Sequence, residues 1–320
     1  MKLFYRKKTV DNEQKAGGGF HLPLCSFLQQ NIQIVFVIIF SLSAVCFAVS
    51  YFSGLEDDRE LENQQTTLQK DMQMATESTE TTQESTEITQ ECAETIQENT
   101  TTPEMSINSV EEISPIMLPE YEVLWKQNED FVGWLRIEDT VIDYPVMQCT
   151  EDENYYLSHD FYGEENKNGC LILDNDSNAG VGTMEQEYIN DSVPSTNLII
   201  HGHTMKSGQM FGNLKLYQDK EYGLSHNIIC FDTLYEKREY ELIAVFYSQV
   251  YYQSEDVFKY YNFFQADTQE EFDDWYSNIR VMSLYDTGVT AEYGDEFITL
   301  SCCAYHVEDG RFVVVGKRLK

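Results

Sequence analysis

The sequence predicts a mainly β domain: a closed eight-stranded β-barrel with an N-terminal helix and an extra helix before the penultimate strand. Three observations lead there. From Pro115 onward, short runs of Val, Ile, Leu, Phe and Tyr alternate with clusters of Gly, Asn, Asp and Ser, as strands alternate with turns. Clear helical periodicity interrupts this pattern in two places. The stretch 297–317, FITLSCCAYHVEDGRFVVVGK, is two β-branched-rich runs joined by a polar loop, a terminal hairpin. That many short strands in one domain favour closure, because closing a sheet removes its exposed edges.

Taken in order, Tyr121, Leu124 and Trp125 fall at i, i+3 and i+4, the stripe of a short amphipathic helix. Residues 134–137, 142–148 and 170–173 read as strands, and 174–196 as a long loop. Residues 197–201 form the next strand, which ends on Gly202 and His203. Phe211, Leu214 and Leu216 mark a short helical or irregular piece, and 228–231 with 238–250 make a hairpin pair. The second helix covers 268–283. Thr268 and Glu271 fit a capping box there, and Phe272, Trp275, Tyr276 and Ile279 form the buried stripe. The terminal hairpin completes the eight strands.

The N-terminal third is different material. Residues 1–31 carry Lys2, Arg6, Lys7, Lys8 and Lys15 against Asp11 and Glu13, a basic tail. Residues 32–53 contain no charge, and a helix of that length spans about 30 Å of hydrocarbon. A cleavable signal peptide is the competing reading, but its apolar core would be shorter. The positive-inside bias places the tail in the cytoplasm and the rest of the chain outside, a single-pass membrane protein with an extracellular domain. Residues 54–113 are acidic and rich in Thr, Gln and Ser, with Arg59 and Lys70 their only cations. Thr82-Gln83-Glu84, Thr89-Gln90-Glu91 and Ile96-Gln97-Glu98 recur every seven residues, yet the core positions of such a heptad are mostly polar. This composition predicts a disordered, self-repelling spacer.

Composition also excludes some functions. A formal net charge of −34 argues against a nucleic-acid partner, which needs clustered Lys and Arg. The eight cysteines form neither a CxxC motif nor a dense disulfide framework. No phosphate-binding loop, dinucleotide fingerprint or calcium loop is present.

The chemistry concentrates in the terminal hairpin. Side chains alternate along a strand, so Ile298, Leu300 and Cys302 share one face, and Thr299, Ser301 and Cys303 the other. The first set reads as core, the second as a polar strip ending in a thiol. Arg311 opens the returning strand, where its guanidinium can favour a Cys303 thiolate, the nucleophilic form. A thiol nucleophile needs an acid/base partner. Of the six histidines, His203 is the best placed, delivered by an apolar strand through a glycine. His159 and His226 lie in polar loops, and His306 in the hairpin loop is a weaker rival. Zinc could use His201, His203 and the two terminal cysteines, but adjacent cysteines point to opposite faces of a strand. A vicinal Cys302–Cys303 disulfide would strain the backbone.

From about residue 118 to 320 the chain resembles a class B sortase, a membrane-anchored cysteine transpeptidase of Gram-positive bacteria. The family's TLxTC strand end, with an arginine opening the next strand, is matched by Thr299-Leu300-Ser301-Cys302-Cys303 and Arg311. Its histidine motif is similar to Gly202-His203-Thr204-Met205, followed by Met210-Phe211. Asp130-Phe131-Val132-Gly133-Trp134-Leu135 with Ile142-Asp143-Tyr144-Pro145-Val146, and Tyr155-Tyr156-Leu157 through Gly169, match class B in particular. The helix at 268–283 falls where that class carries an extra helix. Three positions depart from the pattern: Cys302 replaces a threonine, His201 a tyrosine, and Glu153 a groove-lining asparagine. These departures bear on substrate preference.

The resemblance implies a sortase-type barrel over residues 114–320 and a catalytic trio of Cys303, His203 and Arg311. Ser301, Leu157 and His201 are the expected substrate-binding residues. The implied substrates are exported proteins with a C-terminal sorting signal and an amino group of peptidoglycan or its lipid-linked precursor. Neither a metal nor an organic cofactor is implied. Alternatives are a pilin-polymerising or mainly hydrolytic sortase, and a non-catalytic surface-binding barrel.

Overall fold

The computed structural model describes residues 32–93, 115–184, 187–188 and 192–319. The basic tail at 1–31 and the spacer's second half at 94–113 lie outside the described residues. Ten strands are present among them: β1 (Phe131–Arg136), β2 (Asp143–Met147), β3 (Leu171–Leu173), β4 (Gly182–Thr183), β5 (Glu187–Tyr188), β6 (Asn197–Gly202), β7 (Ile228–Thr233), β8 (Glu239–Gln249), β9 (Phe297–Cys303) and β10 (Gly310–Arg318). Eight of them form one sheet in the order β1-β2-β3-β6-β9-β10-β8-β7, and β7 pairs back onto β1. The β2–β3 and β6–β9 pairs are parallel and the others antiparallel. The short β4–β5 pair stands apart, inside the stretch expected to be loop.

The alternation read from the sequence decides what lies on each side of this sheet. Leu198 and Ile200 of β6, Ile298, Leu300 and Cys302 of β9, and Phe312 and Val314 of β10 point into the central core. The opposite faces of β8, β9 and β10 carry Ala244, Phe246, Phe297, Val313 and Val315, which meet a second apolar layer. That layer comes from helix α4 (Gln269–Met282) and the segment before it, through Tyr260, Phe272, Trp275 and Ile279. Thr268 caps α4 by accepting from the Glu271 N–H, and Glu271 reaches back to complete the box. A third cluster covers β1–β3, where Tyr121 and Leu124 of α2 (Pro119–Trp125) meet Phe131, Met147 and Ile172. A short helix, α3 (Lys220–Ser225), precedes β7.

The spacer is where structure and expectation part. A single helix, α1, runs Ile32–Ala93, through the apolar segment and well into the acidic one. Among the described residues it is the one helix long and apolar enough to cross a membrane. Beyond the apolar part, Leu61 and Leu68 are buried against the domain, at 5% and 1% exposure. Gln64 donates to Asp160 at 2.8 Å, and Gln65 and Gln69 donate to the Asp143 carbonyl and carboxylate at 2.5 and 2.6 Å. Residues 61, 64, 65, 68, 69 and 72 thus form one face of a helix. Half of that face is glutamine, which explains why it does not register as apolar. Alone the segment has too little apolar surface to bury; here the folded domain supplies the partner. Leu68→Ala in the full chain is expected to weaken this docking by about 3 kcal/mol. Amide exchange across 57–75 checks it, since those protons should exchange on the order of a hundredfold faster.

Candidate active site

The hairpin places Cys303 and Arg311 side by side. Arg311 is the direct cross-strand partner of Cys303, so both side chains leave the same face of the sheet. Parallel pairing of β6 with β9 ends at Gly202 opposite Cys302, which places His203 one step further, level with Cys303. Gly202 is required there. A Cβ at that position would come within 2.6 Å of both Leu171 and Phe211, so only glycine lets β6 close onto the core before the histidine.

Hydrogen bonds hold the trio's surroundings. His203 Nε2 lies 2.8 Å from the Leu157 carbonyl, and because a carbonyl can only accept, Nε2 carries the proton in this arrangement. Thr204 Oγ1 donates to the Cys303 carbonyl at 2.7 Å, tying the histidine loop to the end of β9. The loop is closed by the Phe211 N–H donating to the His203 carbonyl at 2.9 Å. Arg311 is 5% exposed, and its Nη1 donates to the carbonyls of Asp309 and Gly310 at 3.2 and 3.0 Å. Cys303 and His203 are half-buried, within reach of solvent. Cys302 is different. Its thiol points into the core, and burial pushes its pKa up to about 12 even with the Thr204 hydroxyl nearby.

The other expected site residues separate. Leu157 sits beside the trio through its carbonyl. Ser301 is on the Cys303 face as expected, but it is 1% exposed, and its hydroxyl pairs at 2.6 Å with that of Tyr260. His201 is 3% exposed, with Nε2 3.0 Å from Asp174 Oδ2. Both side chains are enclosed in this structure, packed into the sheet behind the thiol. His306 packs at a tilt against Tyr247, whose side chain lies with Phe312 on the side opposite Cys303. His159 and His226 stack on Tyr155 and Tyr222.

Sequence reasoning missed Asp174 and Tyr260. Nothing local marks either, since their partners lie 27 and 41 residues away. For Asp174, burial alone would raise the carboxyl, but the His201 hydrogen bond and charge and the Asp176 N–H bring it below its ordinary range. A depressed carboxylate stabilises the fold fully above its unfolded pKa, near 4, and loses that contribution as pH falls through the folded value. Asp174→Ala should cost about 3 kcal/mol at pH 7 because it removes the carboxylate that the buried His201 imidazole is paired with. Urea unfolding from pH 3 to 7 checks this, with the gap between wild type and variant narrowing toward the acid end.

No family model matches the chain. It is similar to Sortase B of Listeria monocytogenes, 32% identical over 201 residues, 62% of this chain and 73% of the relative. It is also similar to Sortase B of Staphylococcus aureus, 27% identical over 206 residues, 63% of this chain and 75% of the relative. Among solved structures, Bacillus anthracis sortase B in complex with AAEK1 matches with TM-score 0.52 and 29% identity, covering 65% of this chain and 88% of that one. A Staphylococcus aureus sortase B–substrate complex matches with TM-score 0.53 and 25% identity, over 64% and 86%. The relatives and the shared fold place the chain among the cysteine transpeptidases. The chain belongs to the sortase B family.

Proposed function

We propose that this chain cleaves a C-terminal sorting signal on exported proteins and joins the product to an amino group of the cell wall. The supporting observation is the direct Cys303–Arg311 pairing, with His203 level with the thiol. The Cys303 thiolate attacks the scissile carbonyl carbon. The C–N bond breaks, and His203 gives its proton to the departing amine, leaving a thioester. An incoming amine then attacks that carbonyl and yields its proton to His203, and the C–S bond breaks to regenerate the thiolate. Arg311 balances the oxyanion formed in each step. The chemistry draws on side chains alone.

A similar sortase B has been crystallised with a triglycine ligand, which supports an amine acceptor of short glycine type. Peptidoglycan or its lipid-linked precursor would present such an amine. On this reading the ring of strand pairings is a closed sortase-type barrel. The apolar part of α1 is a single membrane span, residues 1–31 are cytoplasmic, and 114–320 is an extracellular catalytic domain. The test incubates the full chain in detergent with a library of sorting-signal peptides and triglycine. Peptide joined to triglycine is the expected product. Free acid as the main product would make the chain a hydrolase, and head-to-tail polymer of a pilin substrate a polymerase. Cleavage of no peptide by folded protein would favour a binding domain.

A further inference from the structure

One polar group beside the trio has no role in the reaction as written. In the register of β10 with β8, Arg311 lies opposite Ser248, just as it lies opposite Cys303 on β9. Cys303, Arg311 and Ser248 therefore form a row across three strands on one face of the sheet, with the guanidinium-bearing residue in the middle. Directly opposite residues in such a ladder hold their Cβ atoms about 5 Å apart. Ser248 is 5% exposed, and its hydroxyl oxygen is enclosed with no hydrogen-bond partner among the described residues. Its same-face neighbours on β8 are Ala244 and Phe246, packed in the layer under Tyr260 and α4.

A hydroxyl buried in this way is a standing cost to the resting fold. Alanine would fill the position as well as it fills Ala244, so the use of the hydroxyl lies in another state of the enzyme. Arg311 supplies that state. In the resting arrangement its Nη1 is turned onto the carbonyls of Asp309 and Gly310, in its own turn. To balance an oxyanion at Cys303 the guanidinium must present an N–H toward the thiol. A guanidinium carries five donors in a rigid fork and no acceptor, whereas a serine hydroxyl can accept. We propose that Ser248 is a positioning residue, whose hydroxyl accepts a hydrogen bond from Arg311 when acyl substrate is bound and fixes the fork toward Cys303. The inference rests on the transpeptidase reading above.

The test compares wild type, Ser248→Ala and Ser248→Thr as full chains in detergent. It measures the thermal midpoint, Cys303 alkylation by iodoacetamide, and kcat and KM for acyl transfer from a cleaved peptide to triglycine. Ser248→Ala is expected to keep its midpoint or raise it, by up to about 4 °C, because no resting hydrogen bond is lost. Its alkylation rate should stay within about twofold, since the guanidinium charge opposite Cys303 is unchanged. Its kcat should fall about ten- to a hundredfold with little change in KM, the mark of a group acting in the transition state. Ser248→Thr restores the hydroxyl and should recover most of kcat. Wild-type kcat in Ser248→Ala would overturn the inference, as would a kcat loss accompanied by a lower midpoint and slowed alkylation, or a threonine variant as slow as alanine. A wild type that transfers no acyl group from any peptide would instead sink the transpeptidase reading itself.

Discussion

Cys303→Ala should abolish acyl transfer, by about ten-thousand-fold or more, while Cys302→Ala should leave it within a few-fold. The two thiols are adjacent in sequence and opposite in environment. Cys302 packs among Leu300, Phe312 and Val314, and burial holds its thiol at about 12, so it stays protonated at neutral pH. Cys303 is half-buried and directly opposite Arg311. Iodoacetamide at pH 7 to 9 should therefore label Cys303 and spare Cys302, as peptide mapping would read directly. Cys302→Ala removes a small core group, and its cost should appear in the thermal midpoint rather than in the rate. If Cys302→Ala lost the rate instead, the assignment of faces along β9 would be wrong.

Arg311→Ala should lower kcat by about a hundred- to a thousandfold, the range for removing a main donor to a developing oxyanion. Arg311→Lys should recover little of it, because a lysine point charge cannot reproduce a planar fork held between two strands. The side chain is 5% exposed and enters the hydrogen bonds of its own turn, so the variant needs a stability control. The thermal midpoint is that control. If it holds while acyl transfer collapses, Arg311 acts on the reaction and not on the fold. A variant with unchanged kcat would remove Arg311 from the mechanism.

The inward and outward faces of β9 and β10 were legible because a strand alternates with period two, and the hairpin brought Arg311 to Cys303 with no long-range information. The capping box of α4 was legible for the same local reason. What covers a face was not. Ser301 and Cys303 leave β9 on the same side, yet Tyr260 closes over Ser301 from 41 residues away and leaves Cys303 reachable. His201 likewise finds Asp174 only once β3 and β6 are paired. The docking of α1 escaped notice because its contact face alternates leucine and methionine with glutamines that bond to Asp143 and Asp160. Read alone such a segment looks solvated, and its order comes from the domain it meets. Ser248 sits in a strand whose pattern says nothing of a cross-strand arginine until the β8–β10 register is known.

The most direct test of the account is the intact mass of the full chain mixed with a cleavable sorting-signal peptide and no amine acceptor. The expected result is a mass gain equal to the acyl fragment, a thioester that maps to Cys303 and is missing from Cys303→Ala. Added triglycine should discharge it into an amide-linked product. An adduct that maps to Cys302, or peptide cleavage that survives Cys303→Ala with no adduct at all, would contradict it.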